Sequence, residues 1–157
     1  MTSRRILFYI FISLVFLSGC ANKEKNSEYI VLDIPSPNEY TSLSIQPIDG
    51  NGGTSEAKQK VITDKKKILG LVHKMNQMKV IQSPSKEFNE SIEELNQHQS
   101  YAVSLTDTSD KQFDMIFFKD GSIQFFQHTE EEIVPSLSKA KHPKLLQEIT
   151  NLSELQN

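Results

Sequence analysis

The stretch that decides the fold is residues 101–126, YAVSLTDTSDKQFDMIFFKDGSIQFF. Apolar residues alternate there with small or polar ones, which is the two-residue period of a strand that packs one face on a core. Polar turns interrupt the alternation at residues 107–110 and at residues 119–122, where Asp-Gly favours a tight hairpin. The stretch therefore predicts a C-terminal three-stranded antiparallel meander. Its predicted core face carries Tyr101, Val103, Leu105, Phe113, Met115 and Phe117.

Further strands are expected upstream of the meander. Residues 29–34 are rich in β-branched and apolar side chains and predict a strand or an ordered lead-in, which two nearby prolines end. Residues 40–48 alternate and predict a second strand. The run Asp-Gly-Asn-Gly-Gly at residues 49–53 predicts a turn, after which residues 59–62 would return as a short partner strand.

Helices are predicted where apolar residues recur at spacings of three and four. The clearest covers about residues 64–78, is capped by Thr63 or Asp64, and contains Gly70, which would be tolerated if it allowed a close approach to a sheet. A shorter amphipathic helix is expected over about residues 86–96. Pro143 is expected to open a C-terminal helix, because proline suits the first helical position.

Together these elements predict a single α+β domain over residues 29–157. Its antiparallel sheet would have about five strands, packed by the helix of residues 64–78 and closed by the terminal helix. The adjacent phenylalanines at the end of the meander put one ring on each face of the sheet. Phe118 and Phe126 belong to the second face, where they would either lie under the C-terminal helix or form an exposed surface for a partner.

The first 19 residues have the three parts of an export signal. Arg4 and Arg5 form a short basic segment, and residues 6–17 form an apolar run. That run is too short to span a membrane, which takes about 20 apolar residues. Residues 1–19 are therefore interpreted as a signal peptide and excluded from the fold.

Leu17, Ser18, Gly19 and Cys20 resemble the lipobox of bacterial lipoproteins, with a branched apolar residue, two small residues and a cysteine. The resemblance implies that a lipoprotein signal peptidase recognises the first three residues and cleaves before the cysteine, which carries a diacylglyceryl thioether. Two acyl chains anchor a protein stably, whereas one binds only marginally. Residues 20–28 would then be the lipidated cysteine and a flexible tether on the extracytoplasmic face of the cell membrane.

The lipobox, the helix that starts at Asp64 and the spacing Tyr-x-Val-x-Leu … Phe-x-Met-x-Phe-Phe-x-Asp-Gly from Tyr101 to Gly121 resemble small lipoproteins of Gram-positive bacilli. Those lipoproteins have no assigned activity. The resemblance therefore implies a location and a small α+β domain, and it transfers no catalytic residues.

The charge and cysteine content exclude several functions. Loss of residues 1–19 would remove both arginines and leave 15 lysines against 20 Asp plus Glu, a net charge of −5. Nucleic-acid binding needs clustered cations and is not expected. Cys20 is the only cysteine, so its lipidation would leave no thiol for a disulfide, a metal site or catalysis.

No cofactor or metal site is predicted. The four histidines do not recur at the close spacings of a metal site. His128 is followed by three glutamates at residues 130–132, which are interpreted as an acidic loop. Residues 50–55 are rich in glycine but lack the lysine of a phosphate-binding loop. The four histidines are His73, His98, His128 and His142.

The predicted function is a non-enzymatic binding or interaction module of the cell envelope, with a protein or a wall component as its partner. No catalytic constellation is visible in the sequence, so an enzyme is not predicted. The alternative is a small-molecule sensor or solute-binding accessory with a pocket between sheet and helices. Such a pocket would be lined by Phe118, Phe126 or Tyr101.

Overall fold

A computed structural model describes residues 29–48, 58–95, 100–128 and 132–154 of the chain. The predicted signal peptide, lipobox and tether, residues 1–28, lie outside the described residues. Eight strands and three helices are assigned within the described ranges. They are β1 (Ile30–Val31), β2 (Tyr40–Ile48), β3 (Lys60–Ile62), α1 (Lys65–Met75), β4 (Lys79–Gln82), α2 (Lys86–Leu95), β5 (Ser100–Asp107), β6 (Gln112–Phe118), β7 (Ile123–His128), β8 (Ile133–Ser138) and α3 (Pro143–Glu154).

The eight strands form one sheet in the order β1-β4-β8-β7-β6-β5-β2-β3, and every neighbouring pair is antiparallel. The α+β class is therefore confirmed. The expectation of about five strands is wrong, because β4 and β8 were not predicted and the first strand is real but short. The meander has four strands instead of three, since β8 continues it beyond β7.

The sequence did not predict β4 and β8, for two different reasons. Helix α1 ends at Met75 and not near residue 78, because Gln77 adopts a left-handed φ of 70° and the chain turns back into β4. The segment that forms β8 contains Pro135, a residue that normally argues against an inner strand. Pro135 pairs with Phe126 of β7, and it lies beyond the residues of β8 that pair with β4.

The register of the meander confirms the predicted core face. Side chains directly opposite each other in an antiparallel pair point to the same side, so cross-strand partners share a face. The six residues of the predicted core face are all buried except Tyr101, which is partly exposed. The cross-strand pairs are Tyr101–Phe117, Val103–Met115 and Leu105–Phe113.

Strand β2 has the bounds that its alternation predicts, but its register shifts between Tyr40 and Ser42. The extra residue at Thr41 is a β-bulge, which lets Tyr40 and Leu43 both lie on the core face although they are three residues apart. The bulge thus buries a phenol at the start of the strand.

Helices cover both faces of the sheet, but unequally. Apolar residues of α1 and α3 join the core face of the meander in one large cluster. Helix α1 begins as predicted, because the Asp64 carboxylate accepts hydrogen bonds from the Lys66 and Lys67 N–H groups at 2.9 and 3.3 Å. Helix α2 covers only part of the opposite face, through Phe88 and Leu95. The remainder of that face has no helix over it among the described residues.

Gly121 joins the β6–β7 turn to the start of α3. Its φ of 90° lies in the left-handed region, and a Cβ built there would lie 2.9 Å from the Pro143 nitrogen. The His142 N–H donates a 2.7 Å hydrogen bond to the Gly121 carbonyl. Gly70 differs, because a Cβ there would meet nothing within 4 Å. The suggestion that Gly70 allows a close helix–sheet approach is therefore wrong.

Gly121→Ala is expected to lower the free energy of unfolding by about 2 kcal/mol or more, because it adds both left-handed strain and a backbone clash. Gly70→Ala is the matched control and is expected to be neutral or to stabilise by up to about 1 kcal/mol, the helix-propensity difference. Urea unfolding followed by circular dichroism measures both. Equal effects of the two variants would contradict this role of Gly121.

Candidate functional site

A cleft of about 990 Å³ opens between residues 30–40 and the end of the sheet formed by the β5–β6 turn and the last residues of β7. Its apolar lining includes Ile30, Pro35 and the buried Phe113. None of its lining residues belongs to a helix, so it differs from the predicted pocket between sheet and helices. Its acidic lining consists of Asp33, Glu39, Asp107, Asp110 and Asp114.

Two of these five carboxylates are satisfied within the protein. Asp107 Oδ1 accepts hydrogen bonds from the Ser109 and Lys111 N–H groups at 2.7 and 3.0 Å, which shapes the β5–β6 turn. Asp114 Oδ1 accepts a 2.6 Å hydrogen bond from the Ser104 hydroxyl.

The other three carboxylates, Asp33, Glu39 and Asp110, make no side-chain hydrogen bond or ion pair with the described part of the chain. The cations of the lining are Lys111 and, when it is protonated, His128. The cleft therefore carries an excess of negative charge, with carboxylates that remain available to a ligand.

The backbone is strained at this cleft. Among the described residues, three that are not glycine have a left-handed φ, and two of them line the cleft: Ser36 at 42° and Asp110 at 60°. Such a conformation costs free energy at Ser36, whereas Asp110 adopts it at the end of a hairpin turn, where aspartate is well tolerated. The Glu39 N–H donates to the Ser36 carbonyl at 2.9 Å, which fixes the turn that carries Glu39.

Tyr40 forms part of the cleft wall, and its side chain is buried. Burial raises the pKa of Tyr40 to about 12, and the nearby negative charge of Asp107 adds to this effect. The phenol is therefore neutral throughout the physiological range.

Ser104, Asp114 and His128 come together across three adjacent strands. His128 Nε2 lies 3.4 Å from Asp114 Oδ2, while the Ser104 hydroxyl donates to the other carboxylate oxygen. An activated serine needs an imidazole within reach of its hydroxyl, with the carboxylate behind the imidazole. Here the carboxylate stands in the middle, so the group orients side chains without the order of contacts that activates a nucleophile.

The structure separates Phe118 from Phe126. Phe118 is only 2% exposed and packs under α2, so it belongs to the core and not to an exposed partner surface. The prediction that the C-terminal helix covers this face is also wrong, because α3 packs on the other face. Phe126 is partly exposed and lines a cavity of about 230 Å³ on the uncovered sheet, which Tyr101 does not line.

A smaller cavity of about 180 Å³ lies between α2 and the β6–β7 turn. Burial alone would raise the pKa of Asp120 there, but hydrogen bonds from the Ser122 N–H, from Lys141 and from the Ser122 hydroxyl outweigh it and hold the pKa below its usual value. Lys141 Nζ lies 2.9 Å from Asp120 Oδ2. These contacts stabilise the turn that Gly121 joins to α3.

The described residues contain no group of three His, Cys, Asp or Glu side chains that could hold a metal ion. His73 is exposed on α1, and His142 precedes α3, where burial lowers its pKa. His98 and two of the three glutamates at residues 130–132 lie outside the described residues.

Sequence reasoning missed the cleft as a site. Asp114 gave one signal, because it is a carboxylate in the middle of an otherwise apolar strand run. The contribution of residues 33–39 gave no signal, since prolines, serines and acidic residues are ordinary loop composition.

No protein-family model matches the chain, and no curated protein and no solved structure is significantly similar to it. Among the described residues, no helix has the length and apolar character needed to cross a membrane. The function is therefore inferred from the chemistry of the chain itself.

Alkaline titration is expected to resolve Tyr40 from a phenol of ordinary pKa. Its phenolate absorbance should appear near pH 12, and Tyr40→Phe should abolish that late step. Because ionisation is disfavoured only in the folded state, the stability that Tyr40 contributes is complete below pH 10 and is lost as the pH rises towards 12. In denaturant the late step should move to about pH 10, and a folded protein without a late step would contradict the assignment.

Proposed function

We propose that this chain is a cell-envelope lipoprotein, anchored by a diacylglyceryl group on Cys20, whose domain is a non-enzymatic module that binds a protein or a wall component. The observation that carries the binding role is the open acidic cleft with three unpaired carboxylates beside apolar surface. This lining favours a ligand with amino groups and some apolar area, because opposite charge steers association and apolar contact adds affinity.

The lipid anchor is supported by residues 17–20, in which a lipobox-like sequence follows a basic segment and an apolar run. The net charge of −5 expected after cleavage gives the domain no overall attraction to an anionic membrane. The acyl chains therefore supply the stable attachment in this proposal.

Fatty-acid labelling in a bacterial host tests the anchor. The native chain should incorporate labelled palmitate and lose the mass of residues 1–19. Cys20→Ala should take up no label and keep the precursor mass, because the thiol that accepts the lipid is gone. Asn22→Ala, just outside the lipobox, is the control and should behave as the native chain does. Label on the Cys20→Ala variant, or its absence from the native chain, would contradict lipidation at this residue.

Photo-crosslinking in intact cells tests the cleft. A photo-reactive residue replacing Ser109, which is exposed and lines the cleft, should give a specific product. The same replacement at Val61 is the control, since Val61 is 56% exposed and lies outside the cleft.

Asp33→Asn with Glu39→Gln should reduce the cleft product several-fold, because the substitutions remove two unpaired charges. Glu93→Gln with Glu154→Gln, two exposed carboxylates outside the cleft, should leave it unchanged. Equal products at both labelled positions, or none at Ser109, would contradict binding at this site.

A small-molecule sensor or solute-binding accessory remains the second candidate. One observation favours it: about 990 Å³ lies at the upper end of the volumes that small-molecule pockets occupy. A cationic solute that raises the thermal unfolding midpoint of the native chain, and not that of the Asp33→Asn/Glu39→Gln variant, would support it over a macromolecular partner.

A further inference from the structure

Tyr29 begins the described domain, and two lysine ammonium groups lie against its ring. Lys79 Nζ and Lys139 Nζ are each 4.6 Å from the ring centroid, a cation–π distance. Lys79 Nζ also donates a 3.3 Å hydrogen bond to the Tyr29 hydroxyl oxygen. The hydroxyl proton of Tyr29 therefore remains free to donate to a further group.

Backbone pairing brings the three residues together at the β1 edge of the sheet. Lys79 pairs with Val31 across the β1–β4 ladder, and the Lys139 N–H donates a 2.9 Å hydrogen bond to the Lys79 carbonyl. The surface of this edge is accessible, because Tyr29 is 42% exposed and Val31, which also lines the rim of the acidic cleft, is 48% exposed. We call the set of Tyr29, Val31, Lys79 and Lys139 the β1-edge patch.

The charges of the β1-edge patch are not neutralised by the described part of the protein. No carboxylate there forms an ion pair with Lys79 or Lys139. Glu87 and Glu94 line the same small cavity as Lys139, but neither lies within ion-pair distance of its ammonium group. Two ammonium groups without a carboxylate partner and one phenol O–H thus lie at the same edge of the sheet. Such donors suit the phosphate groups of an anionic surface.

We propose that the β1-edge patch docks on the anionic phospholipid surface to which the chain is anchored. The proposal rests on the proposed lipid anchor at Cys20. Eight residues separate Cys20 from Tyr29, and they reach at most about 28 Å when fully extended. The β1 edge is therefore confined near the lipid headgroups, where an amphipathic tyrosine and lysines are both favoured.

A weak contact is sufficient under this tether. Each lysine near an anionic surface contributes about 1 kcal/mol, which would not hold a free acidic protein on a membrane. The anchor makes docking an intramolecular event at high effective concentration, so two lysines and one ring can set the orientation of the domain. The β1 edge then faces the bilayer, and β3, the opposite end of the strand order, faces away.

The test uses the full chain, purified from host membranes and reconstituted in vesicles with brominated acyl chains. The protein has no tryptophan, so Tyr29→Trp introduces a single fluorescent probe that keeps an aromatic ring under the lysines. Val61→Trp on β3 is the matched control at the other edge. In vesicles with one third phosphatidylglycerol, quenching of the Tyr29→Trp variant should exceed that of the control at least twofold.

The excess quenching should disappear in vesicles of phosphatidylcholine alone and when Lys79→Gln and Lys139→Gln are added, because the headgroup contact depends on both charges. Equal quenching at the two edges, or an excess that ignores lipid charge and the lysines, would overturn the docking. Flotation with the vesicles reports the anchor separately. A chain that does not float overturns the anchor and the docking together, whereas a chain that floats without excess quenching overturns the docking alone.

Discussion

The central constraint on this structure is the two-residue period of its strands. A strand that places every second side chain in the core must place the others on the opposite face of the sheet. The paired register of β5 and β6 concentrates large apolar side chains on one side, and α1 and α3 cover that side. The other side receives mixed residues and only one helix, α2. The uneven cover leaves Phe126 partly exposed while Phe118, on the same face, is buried.

Local patterns predicted the elements whose signal lies within a few residues. The bounds of β2, the Asp64 cap, α2 to within a residue and the core face of the meander all follow from alternation or helical spacing. Strands β4 and β8 were not predicted, because their placement depends on partner strands that are distant in the sequence. A short apolar run directly after a helix is interpreted as a continuation of that helix unless its partner strands are known. A proline likewise indicates the end of a strand.

The candidate site could not be predicted in the same way, because its parts come from three distant segments. Residues 33–39, the β5–β6 turn and the end of β7 each have ordinary loop or strand composition, and only the fold makes them one cleft. The β1-edge patch is similar, since nothing in the sequence relates Lys79 to Lys139 or either lysine to Tyr29. The lipobox is the opposite case, as all its information lies in four consecutive residues.

The two ends of the strand order, β1 and β3, have only two and three residues. Short edge strands are poor templates for edge-to-edge association, because few unpaired backbone groups are available to a second sheet. For a domain concentrated in two dimensions on a membrane, as we propose, encounters between copies are frequent, and a docked β1 edge leaves β3 as the edge that a neighbouring copy can reach. The short edge strands therefore disfavour lateral aggregation, even where the copies are crowded together on the membrane.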